Sequence, residues 1–498
     1  MSEIQTIDSL IAGRAVARPD ATAIIDGDRC CSFAALDDHV TAAAGMLTAA
    51  GAGAGDRVLI VAENSLVTAV FIFACLRAGA IAVPVNARMT APELAKVIDH
   101  AAPRVVIYTS GCSAEAQALA GDATPQDMGF GAFHMAKCDP KPVDADTDDV
   151  AVILYTTGTT GAPKGVMLTH ANLMFAGNLS ARIREMGQRD RIYGVLPLTH
   201  VFGLASVLIA STISGATLQL ETRFSPAKLQ AALMDGVTIF PGVPQMHALL
   251  MRHAADQGTP RLTGSALRYV SSGAAPLDPA WKAKAEAFYG LPLQNGYGMT
   301  ESTAGVSGTR NAIGDPDTSV GQPFDGVTVR IDAPEGAEAG EVLTRGPHVM
   351  KGYFRAPDLT AQTIRDGWLR TGDLGRFDAA GRLHIVGRAK ELIIRGGFNV
   401  YPPEVEAALN DHADVIQCAV IGARNASGDE DILAFVQCRD PAAFDTVALA
   451  TFAAARLSGY KRPTRIFPVD SLPAAPTGKI LKHKLLDTFA DRLTAKEA

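Results

Sequence analysis

The sequence predicts an α/β protein: a large N-terminal domain of helix-covered sheets with a β-rich subdomain, then a small α+β domain. Three observations carry that expectation. Residues 57–108 alternate strand-like and helix-like runs, residues 320–386 are β-rich and glycine-punctuated, and the remainder repeats a compact α+β pattern. At 498 residues the chain exceeds one ordinary core, so two or more domains are expected.

Residues 58–62 (Val-Leu-Ile-Val-Ala) read as a buried strand, 66–78 as a helix and 80–85 as a second strand. Thr90 and Glu93 frame a capping box with Pro92 inside the first turn, opening a helix to about His100. Residues 105–108 complete a βαβαβ unit, hence a parallel sheet covered by helices. Gly51, Gly53 and Gly55 precede their strand, unlike a dinucleotide fingerprint, and read as a loop. The acidic, proline-bearing stretch 139–149 is a connector into a second α/β stretch, about 151–310. Turns are expected at 334–336 and 378–381 in the β-rich part. Beyond it, 402–409 and 446–457 read as helices, and 415–421 and 432–437 as strands. A boundary near 387–390 divides the chain into domains 1–387 and 388–498.

Hydrophobic residues make up 48% and charged residues 19%, a soluble globular composition. The net charge of −7 gives no electrostatic case for nucleic acid or an acidic membrane. Cysteines at 30, 31, 75, 112, 138, 418 and 438 form no CxxC pair, which argues against a zinc site and a disulfide framework and for a reducing cytoplasm. The N-terminus lacks an apolar signal-peptide core, so none is expected. The apolar run 66–76 is too short to span a bilayer. Residues 201–220 are uncharged but carry many polar side chains, and read as a core helix, 201–213, running into a strand.

The most informative stretch is Tyr155-Thr-Thr-Gly-Thr-Thr-Gly-Ala-Pro-Lys-Gly165, directly behind the apolar run 151–155. Glycines let backbone N–H groups converge into an anion-binding nest. Hydroxyls of Thr156, Thr157, Thr159 and Thr160 add donors, and Lys164 adds a positive charge, a device for holding oligophosphate. It is not a Walker A loop, because no Gly-Lys-[Ser/Thr] opens a helix.

Further motifs follow in order: Pro197-Leu-Thr-His-Val-Phe-Gly203, Ser272-Gly-Ala-Ala-Pro276, Asn295-Gly-Tyr-Gly-Met-Thr-Glu301, Trp368-Leu-Arg-Thr-Gly-Asp373, Gly387-Arg-Ala-Lys-Glu391, Gly396-Gly397, Pro403-Glu-Val-Glu406 and Pro476-Thr-Gly-Lys-Ile480. The ordered set, covering essentially the whole chain, resembles the adenylate-forming superfamily of acyl-CoA synthetases, luciferases and peptide-synthetase adenylation domains. The resemblance implies ATP, Mg²⁺ and coenzyme A as co-substrates. A carboxylate attacks the α-phosphate to give acyl-AMP and pyrophosphate, and a thiol then displaces AMP. Bringing anionic partners into line makes catalysis mostly positioning and charge neutralisation.

By that resemblance Thr156, Thr157, Gly158 and Thr159 would hold the β- and γ-phosphates, with Thr160 and Lys164 beside them. Thr300 would touch the α-phosphate, and Glu301, with Thr156, would hold Mg²⁺. Gly273, Ala274 and Ala275 would form one side of an adenine slot and Asn295, Gly296, Tyr297 and Gly298 the other. Asp373 would accept the ribose hydroxyls and Arg388 support the ribose and phosphate side. Lys479 would bridge the attacking carboxylate and the α-phosphate, and Lys390 would be the hinge about which the small domain rotates. Gly396 and Gly397 would flank the pantetheine tunnel, and His200 would gate or orient the substrate carboxylate.

The acyl pocket is expected from Val201, Phe202, Phe240, Val243, Met246, Met299 and Val306, mainly apolar side chains. Residues 294–296 contain no arginine, which disfavours dicarboxylates, and 197–203 offer no carboxylate for an amino acid's ammonium. An apolar monocarboxylate, a short- or medium-chain fatty acid or an aromatic acid, is the expected substrate. Loading of a carrier protein and a non-catalytic acyl-adenylate-binding regulator are the alternatives. No integral membrane or nucleic-acid partner is expected, and a homodimer is left open.

Overall fold

A computed structural model describes residues 7–139, 142–157, 163–273, 277–395, 398–425, 430–474 and 480–494. Its first sheet grows from the expected unit. Arg57–Ala62, buried along its whole length, pairs in parallel with Ile81–Asn86 on one side and Val105–Tyr108 on the other. The crossover helix Leu66–Arg77 is capped by Ser65, whose hydroxyl accepts from the Thr68 amide at 3.2 Å. Every residue from Leu66 to Leu76 is buried, so its apolar run serves a protein core. Ala91–Ala101 opens on the Thr90–Glu93 capping box and ends at Ala102 in the left-handed region, φ 46°. No helix among the described residues is long and apolar enough to cross a membrane.

Two expectations about organisation are corrected. The second α/β stretch does not begin at 151. Val150–Thr157 and Pro163–Thr169 form an antiparallel hairpin, and Val150–Thr157 pairs in parallel with Ile81–Asn86, so both belong to the first sheet. The β-rich stretch is also broken: Gly352–Tyr353 leaves its neighbours and pairs with Met167 and Val166 at the edge of that same sheet. Such exchanges are long-range pairings that local pattern does not encode.

The second, nine-stranded sheet has a parallel centre in which Leu293–Tyr297, Tyr269–Gly273, Ile239–Gly242, Arg191–Gly194 and Thr217–Leu220 lie side by side. The N-terminal hairpin Thr22–Asp26/Arg29–Ser32 completes one edge. The expected core helix runs over Val201–Gly203, widens into a π-helical turn at Leu204–Ile209, and finishes at Ala210–Ser214 before the strand Thr217–Leu220. Pro226–Met234, Pro244–Asp256 and Pro279–Tyr289 are the other crossovers.

A third, antiparallel sheet contains Thr328–Asp332, Gly340–Arg345, Ile364–Arg365, Trp368–Phe377 and Leu383–Arg388. Beyond it, Gln417–Arg424, Glu430–Gln437 and Arg465–Val469 form a three-stranded sheet flanked by helices Pro402–Asn410 and Thr446–Ala454. Val405, Leu409, Val420, Ala434 and Leu449 pack on one face of it, and Phe435, Phe467 and Leu485 on the other. Among the described residues, these two clusters draw only on positions from 393 onward, and the two large clusters only on positions up to 369.

Candidate active site

The carboxyl ends of the central parallel strands form the edge of a crevice, the usual ligand position in such sheets. Gly273 and Gly296 face each other in register at the ends of their strands. Gly273 is tight: a Cβ there would lie 3.1 Å from the Phe202 ring. Ala274 and Ala275 lie outside the described residues. Asn295 is buried, and its amide donates to the Ser319 carbonyl at 2.9 Å while its Oδ1 accepts from the Gly296 N–H at 2.9 Å. Its side chain therefore shapes the turn into Tyr297.

At Gly298 the chain doubles back. A Cβ would overlap the Ala304 carbonyl oxygen, and Thr303 and Ala304 both take positive φ, 46° and 77°. This tight turn presents Thr300, which is buried, and Glu301. The Met350 amide donates to the Glu301 carbonyl at 2.9 Å, and the Thr303 hydroxyl to the His348 carbonyl at 2.8 Å.

Tyr353 connects this turn to the hairpin of Val150–Thr157 and Pro163–Thr169. Its hydroxyl donates to Glu301 Oε1 at 2.9 Å, and Lys164 Nζ lies 5.8 Å from its ring centroid. Burial, then the negative charge of Glu301, pushes its phenol well above the ordinary range, so it stays a donor. Thr156 and Lys164 are register partners across the hairpin, and Lys164 is the one that reaches the Tyr353 ring. Gly158, Thr159 and Thr160 lie outside the described residues, as does the side chain of Thr157. Tyr353 is a site residue the sequence reading missed.

Asp373 and Arg388 are also register partners, on adjacent antiparallel strands. Arg388 Nε lies 2.9 Å from Asp373 Oδ1, and the Tyr297 hydroxyl donates to Oδ2 at 2.6 Å. Burial, followed by the Asp373 charge and bond, raises the Tyr297 phenol well above its usual range. Burial works against the Arg388 charge, but Asp373, then Glu391, Tyr297 and Glu301, outweigh it and raise its pKa. A carboxylate has about four lone-pair sites, so Asp373 retains capacity for hydroxyl donors beyond these two.

His200 caps the short helix Val201–Gly203: its Nδ1 accepts from the Phe202 amide at 3.3 Å. Gly203 is obligatory, because a Cβ would overlap the Pro197 carbonyl. Buried Asn64 fixes the approach to this loop, a second residue the sequence reading missed. Its Oδ1 accepts from the Leu198 amide at 2.8 Å, and its Nδ2 donates to the carbonyls of Leu196 and Gly194 at 3.0 and 3.1 Å. Val201, Val243 and Met246 are buried in one core with Phe202 and Met299 packed against it, and Val306 is also buried. Phe240 is corrected: its ring packs tilted against His247 and edge-on against Tyr193, centroids 4.9 and 6.0 Å apart, on the Pro244–Asp256 side of the sheet, whereas Phe202 meets Gly273 on the other side. It is core packing.

In the small domain Lys390 is exposed on the 3₁₀ turn Ala389–Glu391. Lys479, Gly396 and Gly397 lie outside the described residues. Ala474 and Ile480 form an antiparallel bridge. Just beyond, Lys482 Nζ reaches Glu406 Oε1 at 2.7 Å and Glu391 Oε2 at 3.4 Å. Burial would depress the Lys482 ammonium, but Glu406 and Glu391 together hold its pKa above the ordinary value.

The chain as a whole matches known families and solved structures. Residues 11–354 match the model of the AMP-binding enzyme family, and 404–479 that of the AMP-binding enzyme C-terminal domain. A feruloyl-CoA synthase from an Amycolatopsis species is 35% identical over 492 residues, 97% of this chain and 99% of the relative. The ATP-bound structure of MatB from Rhodopseudomonas palustris superposes with TM-score 0.83 at 30% identity, covering 98% of this chain and 100% of that one. O-succinylbenzoate coenzyme A synthetase (MenE) from Bacillus subtilis, in complex with ATP and magnesium ion, gives TM-score 0.81 at 28% identity, covering 96% and 98%.

Proposed function

Because the chain belongs to the AMP-binding enzyme family of AMP-forming acid–thiol ligases, we propose that it activates a fatty or aromatic acid of apolar body as acyl-AMP and transfers the acyl group to coenzyme A. The carboxylate oxygen attacks the α-phosphorus of ATP and pyrophosphate leaves. The thiol sulfur then attacks the acyl carbon and AMP leaves.

The observation that supports this reading best is the Tyr353–Glu301 bond, which draws the Thr156/Lys164 hairpin against the Thr300–Glu301 turn. Phosphate donors, a cation and a carboxylate then converge at one end of the crevice. Glu301, with Thr156, would hold the Mg²⁺ that accompanies ATP; one carboxylate plus phosphate oxygens is a suitable hard donor set, and the ion would neutralise the departing pyrophosphate. Asp373 would receive the ribose hydroxyls, steadied by Tyr297 and Arg388. Adenine would enter between the Gly273 edge and Tyr297, and His200 would orient the acid at the mouth of a pocket formed with Val201, Phe202, Val243, Met246, Met299 and Val306.

In the same reading residues 1–387 hold both substrates, while 388–498 turn about Lys390 to bring Lys479 to the reacting oxygens and Gly396–Gly397 to the thiol. The separate cores on either side of residues 370–392 support that division. Seven free thiols support a reducing, cytoplasmic setting.

The test is a panel of carboxylic acids given to the purified enzyme with ATP, Mg²⁺ and CoA, scored for AMP, ADP and pyrophosphate. CoA-dependent AMP and pyrophosphate are expected. Release of ADP, or no pyrophosphate with any acid, sinks the reading.

A further inference from the structure

Arg184 follows the helix His170–Ile183 and is 4% exposed. Its Nη1 donates to the Ser206 carbonyl, and its Nε has no hydrogen-bond partner. Among the described residues it has no acidic partner, and its main electrostatic neighbour is the phenol of Tyr269. The nearest acids along the chain are turned away or engaged. Glu185 is exposed, with φ 49°, and the Asp190 carboxylate is held by Arg268 at 2.7 and 2.8 Å. A guanidinium cannot shed its charge as a buried lysine can, so burial without a counter-ion is costly. Such a cation calls for an anion from outside the chain.

Its position says where that anion would come from. Tyr269, Ser271 and Gly273 alternate along one strand and so share a face. Gly273, at the strand's end, meets the Phe202 ring on that face. Ser206 lies one helical turn beyond Phe202 on the helix covering the same face. Phe202 and Gly273 therefore stand at the end of the strand–helix seam that would be the mouth of an acyl slot, and Tyr269, Arg184 and the Ser206 carbonyl at its far end. Four residues of strand separate the ends, about 13 Å. With the reacting carboxylate at the mouth, that span suits an aryl ring bearing a short arm.

We propose that Arg184, with the Tyr269 hydroxyl, receives an anionic group at the distal end of the acid, a second carboxylate carried on an apolar body. The proposal rests on the acid–CoA ligase reading and changes the tip of its substrate from uncharged to charged. Residues 294–296, just before Tyr297, contain no arginine; Arg184 comes instead from the end of the helix His170–Ile183. Arginine's planar fork offers Nε and an Nη side by side, the geometry for bidentate carboxylate binding.

The experiment compares cinnamate, 4-methylcinnamate and 4-carboxycinnamate as substrates, reading kcat/KM for CoA-dependent AMP formation. Wild type is expected to favour the 4-carboxy acid by at least about tenfold. Arg184→Met should remove that preference while leaving cinnamate turnover within a few-fold, mainly through KM for the charged acid. Tyr269→Phe, which keeps the ring and the packing, should narrow the preference several-fold and serves if Arg184→Met folds poorly. A wild type that favours the methyl or unsubstituted acid overturns the proposal, as does an unchanged preference in both variants. Absence of AMP with every acid would instead overturn the ligase reading itself.

Discussion

Tyr353 donates its hydroxyl to Glu301 Oε1 at 2.9 Å, across 52 residues of sequence. That bond fixes the rotamer of the carboxylate proposed to hold Mg²⁺, and it ties the phosphate hairpin to the Thr300–Glu301 turn. A hydrogen bond to a charged group contributes about 1.5–3 kcal/mol, so its loss corresponds to about 10–100-fold. Tyr353→Phe should lower kcat for pyrophosphate exchange by at least tenfold and raise the Mg²⁺ concentration needed for half-maximal rate. Because the ring stays, the melting temperature should move little. Unaltered Mg²⁺ dependence would remove Tyr353 from the site.

Gly298 tests the turn by steric means. A methyl group there would overlap the Ala304 carbonyl oxygen, which the protein relieves only by opening the segment that carries Thr300 and Glu301. Gly298→Ala should abolish adenylation while the far-ultraviolet circular dichroism stays near wild type, since the sheets do not depend on this loop. By contrast Gly296→Ala, whose nearest contact would be the Ser307 carbonyl at 3.4 Å, should retain measurable activity. Equal activity in both would mean that the turn rearranges freely.

What was legible in the sequence was local. The Thr90–Glu93 box and the strand–helix alternation over 57–108 both rest on neighbours close in the chain. Tyr353 was not legible, because a Gly-Tyr pair in an extended segment has no pattern of its own and its partners lie on other elements. The hairpin at Thr22–Ser32 and the strand Gly352–Tyr353 join sheets far from their sequence neighbours, which composition cannot reveal. Phe240 illustrates a further limit. All four residues of Ile239–Gly242 are buried, so alternation does not tell which face a side chain takes, and only packing against His247 decides it. Arg184 belongs to no motif in the sequence, and its burial beside the Ser206 carbonyl and Tyr269 comes from elements distant in the chain.

Lys482 bears on the small domain. Its ammonium spans Glu406 and Glu391, the latter on the same turn as Lys390, and it stands just beyond the bridge Ala474–Ile480. It thereby fastens the chain following Lys479 to the proposed hinge. Lys482→Met should cost about 1–3 kcal/mol of small-domain stability by leaving two carboxylates without their cation. It should slow acyl-AMP formation about tenfold while thioester formation from supplied acyl-AMP changes far less, because only the first step uses Lys479 in this reading. Lys479→Ala should show the same split more strongly, nearly abolishing the first step. Equal loss in both steps for either variant would contradict these roles.

The buried histidine His247 makes stability depend on pH in a defined window. It is wholly inaccessible, its Nδ1 lies 2.8 Å from the Tyr289 hydroxyl and its Nε2 3.2 Å from the Ser271 carbonyl. In the neutral ring Nε2–H donates to the carbonyl while Nδ1 accepts from the phenol; protonation would turn that acceptor into a second donor. Burial lowers its pKa from 6.5 to about 4. The unfolded chain therefore binds the proton first as pH falls. The contribution is fully present above pH 6.5, and about 3 kcal/mol is lost as pH drops from 6.5 toward 4. His348, similarly lowered by burial to about 4, acts in the same direction. Thermal melts from pH 7.5 to 4.5 should show stability falling steeply below 6.5, and His247→Asn should flatten that slope by about one proton's share while lowering stability at neutral pH. Identical slopes in wild type and variant would mean that His247 titrates in the folded protein much as it does in the unfolded chain.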